Sequence, residues 1–83
     1  MDEKKIFEEV LKILKPYTKD QSLLEKATME TSILDDLKVN SARLVDVIIQ
    51  CEDVFGIVID DDDADKISSV GDAVKLIASR IAS

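Results

Sequence analysis

Histidine is absent from the sequence, and Cys51 is its only cysteine. Together these absences argue against a zinc centre and against most nucleophile–base pairs. A lone cysteine cannot close an internal disulfide, and Cys51 falls in an apolar run, so it is expected to be a small buried hydrophobe in a reducing, cytoplasmic setting. No apolar run approaches the ~18 residues that a membrane span needs. The opening residues "MDEKKIFEEV" are too charged for the apolar segment of a secretory leader. Glycine and proline are scarce (two and one), and neither a repeat nor a low-complexity linker is visible. What remains is one domain over residues 1–83, long enough for a single core of modest stability.

Positive charge is missing from one region in particular. The net charge is −7. Residues 35–65 hold ten acidic and two basic groups, while 1–34 are nearly balanced and 66–83 are slightly basic. Nucleic acid and anionic membranes are poor partners for such a field. A basic protein surface suits it, because complementary charge steers encounter.

Helical periodicity dominates the rest. Ile6, Phe7, Val10, Leu11 and Leu14 form one stripe on a helix from Glu3 to about Lys15, capped by Asp2 and ended by Pro16. Residues 16–40 read as a long connection tucked onto the core by Leu23, Leu24, Met29, Ile33, Leu34 and Leu37. Ser32 with Asp35 suggests a capping box and a short helical turn over 33–37. A second helix spans about Ser41 to Phe55 and stops at Gly56. "IVID" is β-branched but has no partner strand, so it is expected as extended loop. "DDDADKI" suggests a short helix, and Ser69 with Asp72 opens a last helix whose apolar face is Val70, Ala73, Val74, Ile77, Ala78 and Ile81. The expected fold is all-α, a small four-helix bundle of three main helices plus one short one.

The middle helix has more apolar surface than a core needs. Leu44, Val47, Ile48, Cys51, Val54 and Phe55 make a sufficient core stripe. Val45 and Ile49 lie on an adjacent face with Ala42 near their line and Asp46, Glu52 and Asp53 around it. Either the 16–40 connection covers them, or they form an exposed apolar strip rimmed by acid that suits a partner helix. Ser41 also fits two roles. It could cap the helix. Alternatively Asn40 caps, and Ser41 stands at the first helical position with its hydroxyl outward, where a phosphate would meet the positive end of the helix dipole.

At this point a resemblance enters. "SILDDLKVNSARLVDVIIQCEDVFGIVIDDDDADKISSVGDAV" resembles the acyl carrier proteins of fatty-acid and polyketide synthesis. The likeness runs without a gap over residues 31–77. It is carried most by "DDL" ahead of the serine, by the acidic helix ending in Phe55, and by "ADKISSVGDA" at 64–73. It implies the same small bundle and a non-catalytic carrier. Ser41 would receive 4'-phosphopantetheine from coenzyme A through a phosphopantetheinyl transferase. The arm's thiol would hold acyl intermediates as thioesters, and the bundle could shelter the acyl chain. Acyl-transferring or synthase enzymes would dock on the second helix with basic patches, meeting Asp36, Ala42, Val45, Asp46, Ile49, Glu52 and Asp53. No metal site and no catalytic residue are implied, and a monomer is expected.

The chain departs from the family's usual Asp-Ser-Leu by reading Asn40-Ser41-Ala42. Asn40 keeps the capping oxygen but drops the charge that, in the family, helps the transferase's metal activate the serine. Ala42 removes an apolar knob. Arg43 puts a cation in the first turn, placed to pair with the arm's phosphate or to repel basic partners. The departures suggest a specialised carrier with its own transferase or dedicated acyl enzymes. Val47 and Cys51, where the family often has leucine, could leave more room for an acyl chain, unless larger neighbours fill it.

Other functions fit less well. An EF-hand loop counted from Asp61 places Asp63 and Asp65 correctly, but Lys66 stands where glycine is needed and Asp72 where glutamate is. Carboxylates without a deep pocket, a histidine or a phosphate loop do not make an enzyme. The remaining alternatives are a peptidyl or aminoacyl carrier, which shares the chemistry, and an unmodified acidic helical interaction module.

Overall fold

The computed structural model describes residues 2–82 and is all-helical, with five α-helices and two 3₁₀ turns among them. Helix α1 (Glu3–Leu14) begins as expected, with the Lys5 N–H donating to Asp2 Oδ1 (2.8 Å). Its buried residues are Ile6, Val10, Ile13 and Leu14, whereas Phe7 and Leu11 are only half-buried. Ile13 was outside the expected stripe. Pro16 does not force Lys15 out of the helical region. Instead Lys15–Tyr17 tightens into a 3₁₀ turn, where a missing N–H costs nothing. Buried Thr18 then donates its hydroxyl to Leu14 O (2.8 Å) and satisfies one of the helix's last carbonyls.

The long connection is more ordered than its sequence suggests. It contains a short helix, α2 (Gln21–Glu25), capped by Asp20, whose carboxylate accepts from the Ser22 N–H and hydroxyl. Five residues are too few to show a helical period. The expected helix over 33–37 is a single hydrogen-bonded turn, with the Asp36 and Leu37 N–H groups both donating to Ser32 O. Asp35 N–H donates to Ser32 Oγ as a capping box requires, but the returning carboxylate is Asp36, which accepts from Ser32 N–H (2.8 Å). Ile33, Leu37 and Val39 drive this segment into the core.

A backbone strap joins the connection to the last helix, α5 (Val70–Ala82). Val70 N–H donates to Thr31 O, Gly71 N–H to Met29 O, and Ile33 N–H to Ser68 O, at 2.8–3.0 Å. The strap therefore takes up N–H groups at the start of α5 that no helical turn could satisfy. It needs Gly71, because a Cβ there would lie 2.5 Å from Met29 O. Ser69 and Asp72 form the expected capping box, which Ser68 extends by donating its N–H and hydroxyl to the same Asp72 oxygen.

Helix α3 (Leu44–Phe55) ends at Gly56 in the left-handed region (φ 63°), with its N–H on Glu52 O. The extended 57–60 segment follows without pairing, and the short helix α4 (Asp61–Asp65) stands where a short helix was expected. Helix α1 packs most extensively on α5 and also meets α3. Ile6, Leu14, Ile33, Leu37 and Ile77 are almost fully buried between these layers. Each contributes about 1.5–3 kcal/mol by leaving water.

Candidate functional site

The site begins at the mouth of α3. Asn40 is extended (φ −66°, ψ 131°), and its Oδ1 accepts from Ala42 N–H at 2.8 Å, so Asn40 is the cap. The first turn, Ser41–Arg43, is 3₁₀ rather than α, closed by Arg43 N–H on Asn40 O and Leu44 N–H on Ser41 O. Ser41 is exposed, and its hydroxyl has no hydrogen bond among the described residues. Buried Val39 on one side and buried Val47 on the other seat this turn. The result is a primary alcohol on a fixed backbone, relieved of capping duty and open to a second protein.

Arg43 and Asp46 pair at 3.2 Å, Arg43 exposed and Asp46 half-buried. An exposed pair of this kind contributes about 0.2–1 kcal/mol at most. Asp46 offsets the unfavourable cation at the helix start, yet Arg43 can leave it for another anion at little cost.

Val45 and Ile49 are 60 % and 48 % exposed. The 16–40 connection therefore leaves them open to solvent. With Ile48, Glu52, Ile59, Asp61 and Ala64 they line a groove of about 260 Å³ between α3 and α4. Asp46 and Asp53 stand on the outer side of α3, and Ala42 is exposed beside Ser41. Two carboxylates of the strip also have internal work. Glu52 Oε2 accepts from Ile59 N–H (3.0 Å), and Asp36 holds Ser32 N–H. The sequence carried no signal for the Glu52 contact, which joins residues seven apart across a turn.

Val54 departs from the expected core stripe. It is 50 % exposed and faces a cleft shared with Ile13, Pro16 and Tyr17. It lies on the border of the buried stripe opposite Ile49, where the Pro16 turn does not close over it. Val47 and Cys51 are buried and line none of the clefts described. Burial, and then the charge of Glu52, pushes the Cys51 thiol up to about 11, so the sulfur is a neutral packing group. A further cleft, of about 440 Å³, is lined by Glu3, Lys4, Phe7 and residues 27–29; no site residue reaches it. Among the described residues no group of three or more His, Cys, Asp or Glu side chains could hold a metal ion, and no helix is long and apolar enough to cross a membrane.

Comparisons with known proteins agree with this geometry. Residues 4–77 match the family described as phosphopantetheine attachment site. The chain is 42% identical over 74 residues to the acyl carrier protein of Lactobacillus acidophilus, covering 87% of this chain and 92% of that one. It is also similar to the solved acyl carrier protein of Enterococcus faecalis, a protein described for its high thermal stability. That likeness has a TM-score of 0.78 and 32% identity, over 96% of this chain and 99% of the other. With matches of this extent the chain belongs to the acyl carrier protein family, whose cofactor is covalent 4'-phosphopantetheine.

Proposed function

We propose that Ser41 is the attachment point, and that the chain carries acyl intermediates for enzymes that dock on α3. The observation that supports this most is the division of labour at the helix mouth, where Asn40 caps and Ser41 is left free. In loading, Ser41 Oγ forms a bond to the pantetheine phosphorus of coenzyme A. The P–O bond to the nucleotide breaks, and the serine proton passes to the transferase's base. When bound, the arm supplies a thiol that holds acyl groups as thioesters. This chain's own part is to present the oxygen, hold the backbone behind it, and offer Arg43 as a counter-charge to the arm's phosphate once it leaves Asp46.

Docking uses the face that runs from Ala42 through Val45, Asp46 and Ile49 to Glu52 and Asp53, with Asp36 near its head. Apolar contact supplies affinity and the acidic rim supplies steering towards basic partner surfaces. Five of the seven residues lining the adjoining groove are apolar (Val45, Ile48, Ile49, Ile59, Ala64), which favours an aliphatic cargo over an aminoacyl one. We place the carrier in the cytoplasm as a monomer, in fatty-acid, lipid or polyketide synthesis. Asn40 and Arg43 suit dedicated partners rather than general ones. The carrier itself performs no catalysis.

Intact mass spectrometry after incubation with coenzyme A and a broad-specificity transferase tests the attachment. The mass should rise by one phosphopantetheinyl group, and Ser41→Ala should abolish the gain while the fold melts as before. A bare Ser41 after exposure to competent transferases, including those of the source organism, would leave an unmodified interaction module. Arg43→Glu should alter the choice among partner enzymes; unchanged choice would remove Arg43 from recognition.

A further inference from the structure

The groove beside α3 has one firm wall and one weak one. The firm wall is α3 itself. The weak wall is the segment from Ile59 to Ala64, most of it in α4. Helix α4 has five residues and buries none of them. Asp60, Asp61, Asp62, Asp63 and Asp65 crowd carboxylates along it, and its cap residue, Asp60, makes no side-chain capping bond. A helix this short cannot support itself in water, and its like charges work against it.

Three things hold it in place. Ile59 and Ile67 are buried at either end and act as anchors. Glu52 ties the Ile59 N–H back to α3. Between the anchors, Asp63 is ion-paired to Arg80 of α5, seventeen residues on, with both side chains partly shielded from water. This pair links α4 to the C-terminal helix, whereas Lys12–Glu9 and Arg43–Asp46 are local contacts within one turn.

We infer that Arg80 is a positioning residue that sets, through Asp63, how far the groove between α3 and α4 opens. The pair is a clasp on the movable wall. Closed, it presses Ala64 and Asp61 towards Val45, Ile48 and Ile49. Released, α4 can swing on Ile59 and Ile67 and admit a longer aliphatic chain. Arg80 thus acts on the carried chain from a helix that supplies no residue to the groove lining. The inference rests on the proposal that an acyl group shelters in this groove, and the two are tested apart.

The clasp is read first on the unloaded protein, by amide hydrogen exchange in a double-mutant cycle of Arg80→Gln and Asp63→Asn. The Ala64, Lys66 and Ile67 amides should exchange about fivefold faster in Arg80→Gln, while those of α1 stay unchanged. In the Asp63→Asn background the same change should have a clearly smaller effect on these amides. Unchanged α4 exchange, an equal rise in α1, or an undiminished effect without the Asp63 charge would each overturn the clasp. Groove opening is read next, on protein carrying octanoyl or hexadecanoyl arms. The longer chain should protect the Ile59 and Ala64 amides more, relative to the shorter, in Arg80→Gln than in the unaltered chain. Equal increments would refute Arg80 as the setter of the opening. If neither arm protects these amides in the unaltered chain, the groove is not the shelter and the inference falls with it, though Ser41 attachment stands on its mass gain.

Discussion

Gly71→Ala sets two physical effects against each other. Gly71 is the second residue of α5, so helix propensity alone favours alanine by up to ~1 kcal/mol. The strap opposes it. A Cβ at this position would sit 2.5 Å from Met29 O and 3.2 Å from Met29 C, both backbone atoms that no rotamer change can move aside. To make room, residues 29–31 must retreat. That stretches the 2.8 Å bond from Gly71 N–H to Met29 O and loads the 2.9 Å bond from Val70 N–H to Thr31 O. A lost backbone hydrogen bond costs about 1 kcal/mol, and overpacking a tight contact costs about 1–3 kcal/mol. The clash outweighs the propensity gain, leaving a net destabilisation of about 2 kcal/mol.

In a domain of this size that loss lowers the melting temperature by about 8–16 °C. Thermal unfolding followed by far-ultraviolet circular dichroism measures it directly. Lys75→Ala, an exposed site on the same helix, is the control and should stay within about 0.5 kcal/mol of the parent. An unchanged or higher melting temperature in Gly71→Ala would refute the reasoning. It would mean that the strap yields freely and does not fix the start of α5. The matter reaches the site, because the strap runs on through Ile33 and Leu37 to Val39, which seats Asn40.

Three further outcomes are expected. The Asp72 carboxyl is held below its usual 3.8 by the Ser68 hydroxyl and by the Ser69 and Ser68 N–H groups. A depressed folded value gives stability that is present above the unfolded value and lost as pH falls through the folded one. Asp72→Asn should therefore flatten the acid limb of the stability curve below about pH 4; an unchanged limb in urea titrations would contradict it. The Cys51 thiol, raised from 9.0 to about 11, has the opposite sign: folding favours its neutral form, so stability is lost as pH climbs from 9 towards 11. Cys51→Ala should remove that alkaline decline, and iodoacetamide at neutral pH should label Cys51 only as fast as the chain unfolds. Raising salt from low to moderate concentration should raise the melting temperature, because it screens the repulsion among Asp60–Asp65 more than it weakens the Asp63–Arg80 pair. A monotonic fall would reverse that balance.

The three main helices and most of their caps were legible because they are local. A cap sits within three residues of what it satisfies, and a stripe repeats every turn. Asp2, Gly56 and the Ser69–Asp72 box behave as their spacing implied, and Asn40 takes the cap that the spacing left open between it and Ser41. What was not legible depends on distance along the chain. Helix α2 is too short to show a period. The strap between residues 29–33 and 68–71 is made by backbone groups, which no side-chain pattern records. Val54 has the right helical angle for the core, and its exposure is decided by how the Pro16 turn lies, not by α3.

The acidic residues divide in a way that composition could not indicate. Counted together, residues 35–65 form one negative field. In the fold, Glu52 holds the chain after α3, Asp36 closes the turn before the site, and Asp63 ties α4 to α5. These three contribute charge to a partner only while also keeping the groove and the site in shape. The carboxylates of Asp53, Asp61 and Asp62 make no hydrogen bond or ion pair among the described residues and are exposed. Neutralising one of the second group should slow encounter with little effect on melting. Neutralising one of the first should lower stability or loosen the groove as well. The proposed docking surface thus separates into residues that steer and residues that shape, and the separation follows from which carboxylate oxygens already accept a hydrogen bond.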